Sequence, residues 1–147
     1  MNATCKSIGI ASDHAGFELK EILIKELSQA GYLIKDFGTF SSASMDYPDV
    51  AHPLASAVAN GELPVGIAIC GSGNGMSMTL NKHKGIRAAL CWTNEISALA
   101  RQHNNANICS LPARFISAEL AKEIVKTFLT TGFEGERHLQ RVNKINC

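Results

Sequence analysis

The sequence predicts a parallel α/β sheet with helices on both of its faces. Two observations lead to this prediction. Short apolar runs alternate with amphipathic stretches along the whole chain of 147 residues, and most of these runs are apolar at nearly every position. Strands that are buried on both faces have such sequences, and parallel neighbours need a crossover helix between them. With 46% apolar residues, a chain of this length is expected to form one domain over residues 1–147.

Five apolar runs are predicted to form the strands of this sheet. They are SIGIAS (7–12), YLIKDFG (32–38), VGIAIC (65–70), IRAALCW (86–92) and NICSLP (107–112). Each has the length of an ordinary strand, and a longer amphipathic stretch follows each of them. Because the alternation continues from the first run to the last, we expect all five strands to belong to one parallel sheet.

The stretches between the strands are predicted to form helices. The first runs from about residue 17 to residue 30, with Gly31 as a stop signal. Its apolar face carries Leu19, Leu23, Leu27 and Ala30. Later helices are expected at about 49–60, 74–82, 93–103 and 117–131. The segment from Gly132 to Cys147 is polar, and we expect a partly helical tail there.

Composition excludes several classes of function. The net charge of +1 gives no reason to expect nucleic acid or an anionic membrane as the partner. No apolar run approaches the roughly 20 residues that span a bilayer. The chain opens without a signal-peptide region, and its five cysteines are odd in number and form no CxxC pair. These features favour a reducing, cytoplasmic location.

Chemically capable side chains follow several of the predicted strands. Asp13 and His14 follow the first strand, the loop 39–47 follows the second, Cys70 ends the third and Arg114 follows the fifth. Open α/β sheets bind ligands beyond the carboxyl ends of their strands, so we expect these residues to face one site. Asp13 taken alone is equally well explained as a helix cap.

The glycine-rich stretch AICGSGNG (68–75) does not fit three phosphate-binding templates. A dinucleotide fingerprint needs a third glycine where Met76 stands, and a P-loop needs a lysine that is absent. A thiol phosphatase needs an arginine six positions after its cysteine, and this position is again Met76. The remaining interpretation is an oxyanion hole of backbone N–H groups, beside a Cys70 thiolate that acts as a base. The alternative is that Cys70 is only a small buried hydrophobic residue. This interpretation is sufficient for Cys91 and Cys109.

Six motifs in order resemble one known family. They are SDHAG (12–16), DYP (46–48), ICGSGNG (69–75), NKHKGIRAAL (81–90), RQHNNAN (101–107) and ERHLQRV (136–142). Together they resemble the type B ribose-5-phosphate isomerases, whose wider family includes galactose-6-phosphate isomerase subunits. The resemblance implies a Rossmann-like three-layer α/β/α sandwich that needs no cofactor or metal and assembles as a homodimer or tetramer.

The resemblance also implies a chemistry for the glycine loop. The family interconverts aldose and ketose phosphates through an enediolate, and Cys70 matches the base that removes the C2 proton. The backbone of the loop then stabilises the enediolate oxygens, and its residues are Gly71, Ser72, Gly73, Asn74 and Gly75. The Ser72 hydroxyl matches a group that moves a proton between O1 and O2. Relatives without the cysteine use a glutamate in this loop, whereas position 75 here is glycine.

Further residues match the groups of the family that bind the substrate. His103 matches the acid that opens the furanose ring. The residues expected to contact the sugar are Asp13, His14, Tyr47 and Asn104. The phosphate is expected on Arg114, Arg137 and Arg141, with His138 nearby. Without the resemblance, the arginines of the tail would be taken for a solvated basic face, although Arg137 and Arg141 are spaced to share one helical face.

The predicted helix order separates His103 from Cys70. His103 ends the helix that follows the fourth strand, and eleven helical residues return the chain by about 16 Å towards the opposite edge of the sheet. If both residues serve one substrate, the simplest arrangement is a two-fold dimer whose sites are shared between subunits.

Two other functions remain open at this point. One is isomerisation of a six-carbon sugar phosphate, such as galactose 6-phosphate or allose 6-phosphate, because one additional CHOH group needs only small shifts in the site. The other is a non-catalytic module that binds a phosphate or a nucleotide on the same fold, which would need neither Cys70 nor His103. His52 and His83 are given no role.

Overall fold

The structure, a computed structural model, describes residues 6–146, so that Cys5 and Cys147 lie outside it. The strands are β1 (Ser7–Ser12), β2 (Leu33–Asp36), β3 (Gly66–Cys70), β4 (Ala88–Leu90) and β5 (Ile108–Pro112). The helices are α1 (Phe17–Gln29), α2 (Pro48–Ala59), α3 (Asn74–Leu80), α4 (Asn94–Asn104), α5 (Ala118–Thr130) and α6 (Arg137–Asn143). A short 3-10 turn, His14–Gly16, precedes α1. Within residues 6–146, no helix is long and apolar enough to cross a bilayer.

The five strands form one sheet in the order β2-β1-β3-β5-β4. Every neighbouring pair is parallel, with Ile10 opposite Ile67 in the β1–β3 pair and Ala68 opposite Ser110 in the β3–β5 pair. The predicted five-stranded α/β fold is therefore confirmed. In this order β2 lies on one side of β1, and β3, β5 and β4 lie on its other side. The strand order thus reverses between β1 and β3, where open α/β sheets form a crevice for ligands.

The helices cover the two faces of the sheet and bury a core on each. One face packs against α1, α4 and α5, and the other packs against α2 and α3. Helix α2 lies close to the sheet because Gly9 and Gly66 have no side chain. A Cβ atom at these positions would lie 2.5 and 2.9 Å from Cδ1 of Leu54. The alternation of side chains along β3 places Cys70 on the face covered by α2 and α3.

The two edge strands are shorter than the sequence predicts. Strand β4 covers three of the seven predicted residues, and the side-chain amide of Asn81 forms hydrogen bonds with both the N–H and the C=O of Ala88, at 2.8 and 2.9 Å. This amide occupies the open edge where a further strand would pair. At the first helix, Ala30 was expected on the apolar face but lies just beyond α1 and is exposed, because the helix ends at Gln29.

Candidate active site

Asp13 and Cys70 lie next to each other at the strand-order reversal. The backbone N–H of Asp13 donates to the carbonyl of Ile69 at 3.1 Å, which fixes the residue after β1 beside the end of β3. The Oδ1 atom of Asp13 accepts the N–H of Gly16 at 3.1 Å. Asp13 therefore caps the 3-10 turn His14–Gly16, as expected if it is a helix cap. It also lies at the carboxyl edge of the sheet, where the sequence predicts the site.

Cys70 is held at the mouth of the glycine loop and is 4% exposed. The backbone N–H of Gly73 donates to its Sγ atom at 3.1 Å. Gly73 has a φ of +77°, and a Cβ atom there would lie 2.3 Å from Cδ1 of Leu90. Only glycine fits both the left-handed backbone and the space. The loop is thus built so that a backbone donor points at the thiol.

The loop is tied to the residues that follow β5, which brings Arg114 over Gly71. Ala113 donates to the carbonyl of Cys70 at 2.9 Å, and Arg114 donates to the carbonyl of Gly71 at 3.0 Å. The guanidinium group of Arg114 lies over Gly71, because a Cβ atom there would be 3.2 Å from Nη1. The structure therefore places a cation at the same edge as Cys70. Ser72 lies in the same loop, and its Oγ accepts the N–H of Asn74 at 3.3 Å.

Tyr47 and His14 complete this side of the site. The ring of Tyr47 packs on Gly75, where a Cβ atom would be 2.4 Å from Cζ. His14 accepts the N–H of Met45 on its Nδ1 atom at 3.2 Å. In the neutral imidazole the proton is then on Nε2, which can donate to a hydroxyl group. We call the whole set the carboxyl-edge cluster: Asp13, His14, Tyr47, Cys70, Gly71, Ser72, Gly73, Asn74, Gly75 and Arg114.

The other predicted site residues form a second group, which we call the amino-edge cluster: His103, Asn104, Arg137, His138 and Arg141. His103 and Asn104 end α4, just before Asn107, whose amide donates to the carbonyl of Gly85 at 2.8 Å ahead of β4. The rings of His103 and His138 stack with centroids 4.2 Å apart and planes 14° apart. Cys70 ends β3, whereas the 11 residues of α4 return the chain by about 16 Å towards the amino ends of the strands. Residues 6–146 of one chain therefore do not bring Cys70 and His103 together.

Burial and nearby cations determine the charge of His138. The residue is 5% exposed. Desolvation by burial lowers the pKa of His138, and the positive charges of His103, Arg137 and Arg141 lower it further. The carboxylate of Glu134 opposes these effects and raises the pKa. His138 therefore favours the neutral form in its present surroundings.

The two other described cysteines form a buried pair outside both clusters. The hydrogen bond with Cys91 and desolvation raise the pKa of Cys109 well above its usual value. The same hydrogen bond lowers the pKa of Cys91, while burial opposes that effect. Both side chains are fully buried in the core, which agrees with their expected packing role.

Two features of the structure were missed in the sequence. Glu134 lies beside both stacked histidines, with Oε2 3.6 Å from Nε2 of His138 and 4.0 Å from Nε2 of His103. By distance alone these three residues could hold a metal ion, since their ligand atoms lie within 4.8 Å of one another. The spacing of Glu134 four residues before His138 was the available signal. The second feature is a hydrogen bond of 2.7 Å between His52 and His83.

Comparison with known proteins identifies relatives over nearly the whole chain. The family model described as Ribose/Galactose Isomerase matches residues 8–145. The ribose-5-phosphate isomerase B of Escherichia coli is 44% identical over 142 residues, which cover 97% of this chain and 95% of that protein. A probable ribose-5-phosphate isomerase B of Mycoplasma pneumoniae is 46% identical over 139 residues, covering 94% of this chain and 91% of that protein.

Solved structures agree with the fold. The ribose 5-phosphate isomerase of Thermotoga maritima has a TM-score of 0.94 at 51% identity, covering 95% of this chain and 97% of that one. The ribose-5-phosphate isomerase B of Mycoplasma genitalium, solved with bound ribulose-5-phosphate, has a TM-score of 0.90 at 43% identity, covering 95% and 93%. The resemblance inferred from six sequence motifs is confirmed.

Proposed function

The chain belongs to the ribose/galactose isomerase family, and from this membership we propose that it interconverts ribose 5-phosphate and ribulose 5-phosphate through a cis-enediolate. Relatives at 44% and 46% identity carry the name ribose-5-phosphate isomerase B or its probable form, and a structural neighbour was solved with ribulose-5-phosphate. The enzyme is thus an isomerase, and a pentose phosphate is the substrate class that its relatives support.

The observation that carries the mechanism is the contact between Cys70 and its own loop. The Gly73 N–H lies 3.1 Å from Sγ, so the thiolate form has a backbone donor already in place. In the proposed reaction, the C2–H bond of the open aldose breaks and Cys70 takes the proton. The electron pair forms the C1–C2 double bond, and O1 becomes the enediolate oxygen.

The backbone N–H groups of the glycine loop stabilise the negative charge of the enediolate. A single such donor typically contributes roughly 3 to 4 kcal/mol to the transition state. We assign the oxygens to the N–H groups of Gly71, Ser72, Gly73, Asn74 and Gly75. The hydroxyl of Ser72 moves a proton from O2 to O1, and Cys70 returns its proton to C1, which gives the ketose. No cofactor takes part in these steps.

Recognition of the sugar uses the rest of the carboxyl-edge cluster. The Nε2–H of His14 donates to a hydroxyl group, while Asp13 accepts from another through the carboxylate oxygen that does not cap the turn. Tyr47 covers the glycine loop and limits the space above Gly75. Arg114 supplies a positive charge close to the loop, where it can hold one oxygen of the phosphate.

The remaining groups are proposed to come from a second copy of the chain. His103 is assigned the proton that opens the furanose ring, Asn104 a sugar hydroxyl, and Arg137, His138 and Arg141 the phosphate. These groups lie at the opposite edge from Cys70 in one chain. A two-fold dimer can place the amino-edge cluster of one subunit against the carboxyl-edge cluster of the other, because both surfaces then meet twice. A tetramer can contain two such dimers.

Turnover without added cofactor tests this function. The protein is incubated with ribose 5-phosphate or with galactose 6-phosphate in the presence of a chelator, and ketose formation is followed. We expect turnover of ribose 5-phosphate. Turnover of galactose 6-phosphate alone would assign a six-carbon substrate and contradict the proposal. Turnover of neither would favour a non-catalytic binding module.

Cysteine variants test the assignment of the base. Cys70→Ala is expected to lower kcat by about 100- to 10,000-fold, the usual contribution of a positioned base, while ribose 5-phosphate still binds in equilibrium dialysis. Cys109→Ala is the matched control, because it removes another buried thiol from the same sheet and is expected to keep kcat within a few-fold. Equal losses in the two variants would mean that Cys70 only fills space.

A further inference from the structure

Glu134 has no part in the function described so far, yet its position is well defined. Its backbone N–H donates to the carbonyl of Gln102 at 3.1 Å, which ties it to the end of α4. The next two residues, Gly135 and Glu136, have φ angles of +71° and +49°. This turn leads directly into α6, so that Glu134 lies where His103 of α4 meets His138 of α6.

The hydrogen on His138 can be assigned from its neighbours. Nη1 of Arg141 lies 3.5 Å from Nδ1 of His138, and a guanidinium group only donates. Nδ1 is therefore the acceptor, and the neutral ring carries its proton on Nε2. Nε2 is buried and has no hydrogen-bond partner within residues 6–146 at ordinary length. The Glu134 carboxylate is an acceptor 3.6 Å from Nε2, so that a small movement completes the bond.

This proton assignment argues against a metal ion between the same three side chains. A histidine nitrogen must be deprotonated to bind a metal, and Nε2 is the protonated atom here. Arg137 and Arg141 also add positive charge beside His138, which opposes a divalent cation. The same charges disfavour a proton on His138. Glu134 is the acidic group that offsets them.

We propose that Glu134 is a positioning residue that keeps the stacked pair of His103 and His138 oriented and able to carry one proton. The inference rests on the proposed function, in which His103 opens the sugar ring. In that step, the C1–O4 bond breaks, O4 takes the proton of the imidazolium, and the C1 hydroxyl gives its own proton to water. The neutral pair then recovers a proton from water beside the exposed Glu134 carboxylate.

The charges that face the pair come from three segments. Helix α4 supplies His103 itself, the turn after α5 supplies Glu134, and α6 supplies Arg137, His138 and Arg141. Removal of the negative charge leaves the arginines unopposed and makes protonation of His138 harder.

The test uses Glu134→Gln, with Glu136→Gln as the matched control. Both variants remove one carboxylate of the same short turn, but Glu136 is exposed and forms no ion pair within residues 6–146. The first measurement is an NMR titration of the histidine ring protons. We expect Glu134→Gln to lower the pKa of His138, because the carboxylate raises it in the wild type, and Glu136→Gln to leave it unchanged.

The second measurement is the dependence of kcat on pH with ribose 5-phosphate. The ring-opening acid must be protonated, so activity is lost on the alkaline side, and this limb is expected to move to lower pH in Glu134→Gln. A movement of one pKa unit gives about a tenfold loss at a fixed alkaline pH. Glu134→Asp is expected to retain part of the activity that Glu134→Gln loses at that pH. A loss that is equal at every pH would indicate a structural role and overturn the inference.

These outcomes separate the inference from the proposed function. A wild-type protein without turnover would defeat the proposed function, while the NMR titration would still test Glu134. Identical titrations in Glu134→Gln and the wild type would overturn the inference even in an active isomerase. Tight binding of one Zn²⁺ per wild-type chain that is lost in Glu134→Gln would also overturn it, because the cluster would then be a metal site.

Discussion

Gly75 shows how one missing side chain shapes the candidate site. Its Cα lies against the ring of Tyr47, and a Cβ atom would approach Cζ to 2.4 Å. A longer side chain at this position would need another arrangement of the ring. The close contact of Tyr47 with Gly75 is therefore compatible with the proposed role of Cys70 as the base.

Gly75→Ala is predicted to displace the Tyr47 ring and to lower kcat/KM for ribose 5-phosphate. Tyr47 is 38% exposed and can swing outward, so the loss in the free energy of unfolding is expected near the low end of overpacking, about 1 kcal/mol. Urea denaturation and steady-state kinetics measure the two effects. Adding Tyr47→Ala to the variant should recover part of the stability, since the clash disappears.

Gly132→Ala is the control for this prediction. Apart from its chain neighbours, no heavy atom of residues 6–146 lies within 4 Å of its Cβ position, and its φ is not in the left-handed region. It should leave the free energy of unfolding within about 0.5 kcal/mol of the wild type and kcat/KM unchanged. Wild-type kinetics in Gly75→Ala would mean that the Tyr47 contact does not shape the site.

Individual site residues differ in how well the sequence predicts them. Cys70 and Asp13 lie at the predicted edge because one ends an apolar strand and the other follows one, and the carboxyl ends of parallel strands meet at one edge. Glu134 was missed because its importance depends on the packing of α6 against α4, a contact between segments that pattern analysis treats separately. The roles of the site residues remain predictions from the resemblance and from local geometry.

Among the elements, β2 and its following loop are held by a buried lysine. Nζ of Lys20 in α1 lies 2.6 Å from Oδ2 of Asp36, and their side chains are 0% and 23% exposed. Oδ1 of the same carboxylate accepts the N–H of Gly38 at 2.8 Å. Ser12 and Gly38 then share a backbone bond of 2.7 Å. The ion pair thus fixes the loop beside the residue that precedes Asp13.

Lys20→Met is predicted to lower the free energy of unfolding by about 3 kcal/mol, because it leaves the Asp36 carboxylate without its cation in a largely buried position. Urea denaturation gives the value. Lys35→Met is the matched control, since Lys35 pairs with Glu62 at 3.6 Å while both side chains are more than half exposed. That pair should contribute under about 1 kcal/mol. Equal losses would show that the Lys20–Asp36 pair contributes no more than an exposed ion pair.

Element boundaries were predicted best where burial is complete. Strand β1 matches residues 7–12, and β3 and β5 each lack only the first predicted residue. The edge strands were overestimated, because the apolar run 86–92 does not reveal that the Asn81 amide pairs with the open edge of β4. The buried Lys20 was not foreseen either, since its partner lies 16 residues later in another element.

At the scale of the whole molecule, the main result is the separation of the predicted site into two clusters. The number of helical residues after β4 predicts that His103 lies far from Cys70. The structure agrees for one chain, with Cys70 at the carboxyl end of β3 and His103 stacked on His138 at the other edge. The dimer that would join the clusters remains a proposal, because sequence pattern does not specify which surfaces of two copies meet.

Subunit mixing between Cys70→Ala and His103→Ala tests the shared site most directly. Each variant alone should be nearly inactive. After the subunits are allowed to exchange, half of the dimers contain one chain of each kind, and each mixed dimer has one site with both residues intact. The account predicts that ribose 5-phosphate isomerase activity returns to about a quarter of the wild-type value. Mass spectrometry verifies that the subunits have exchanged. If exchange is complete and no activity returns, the shared site is contradicted.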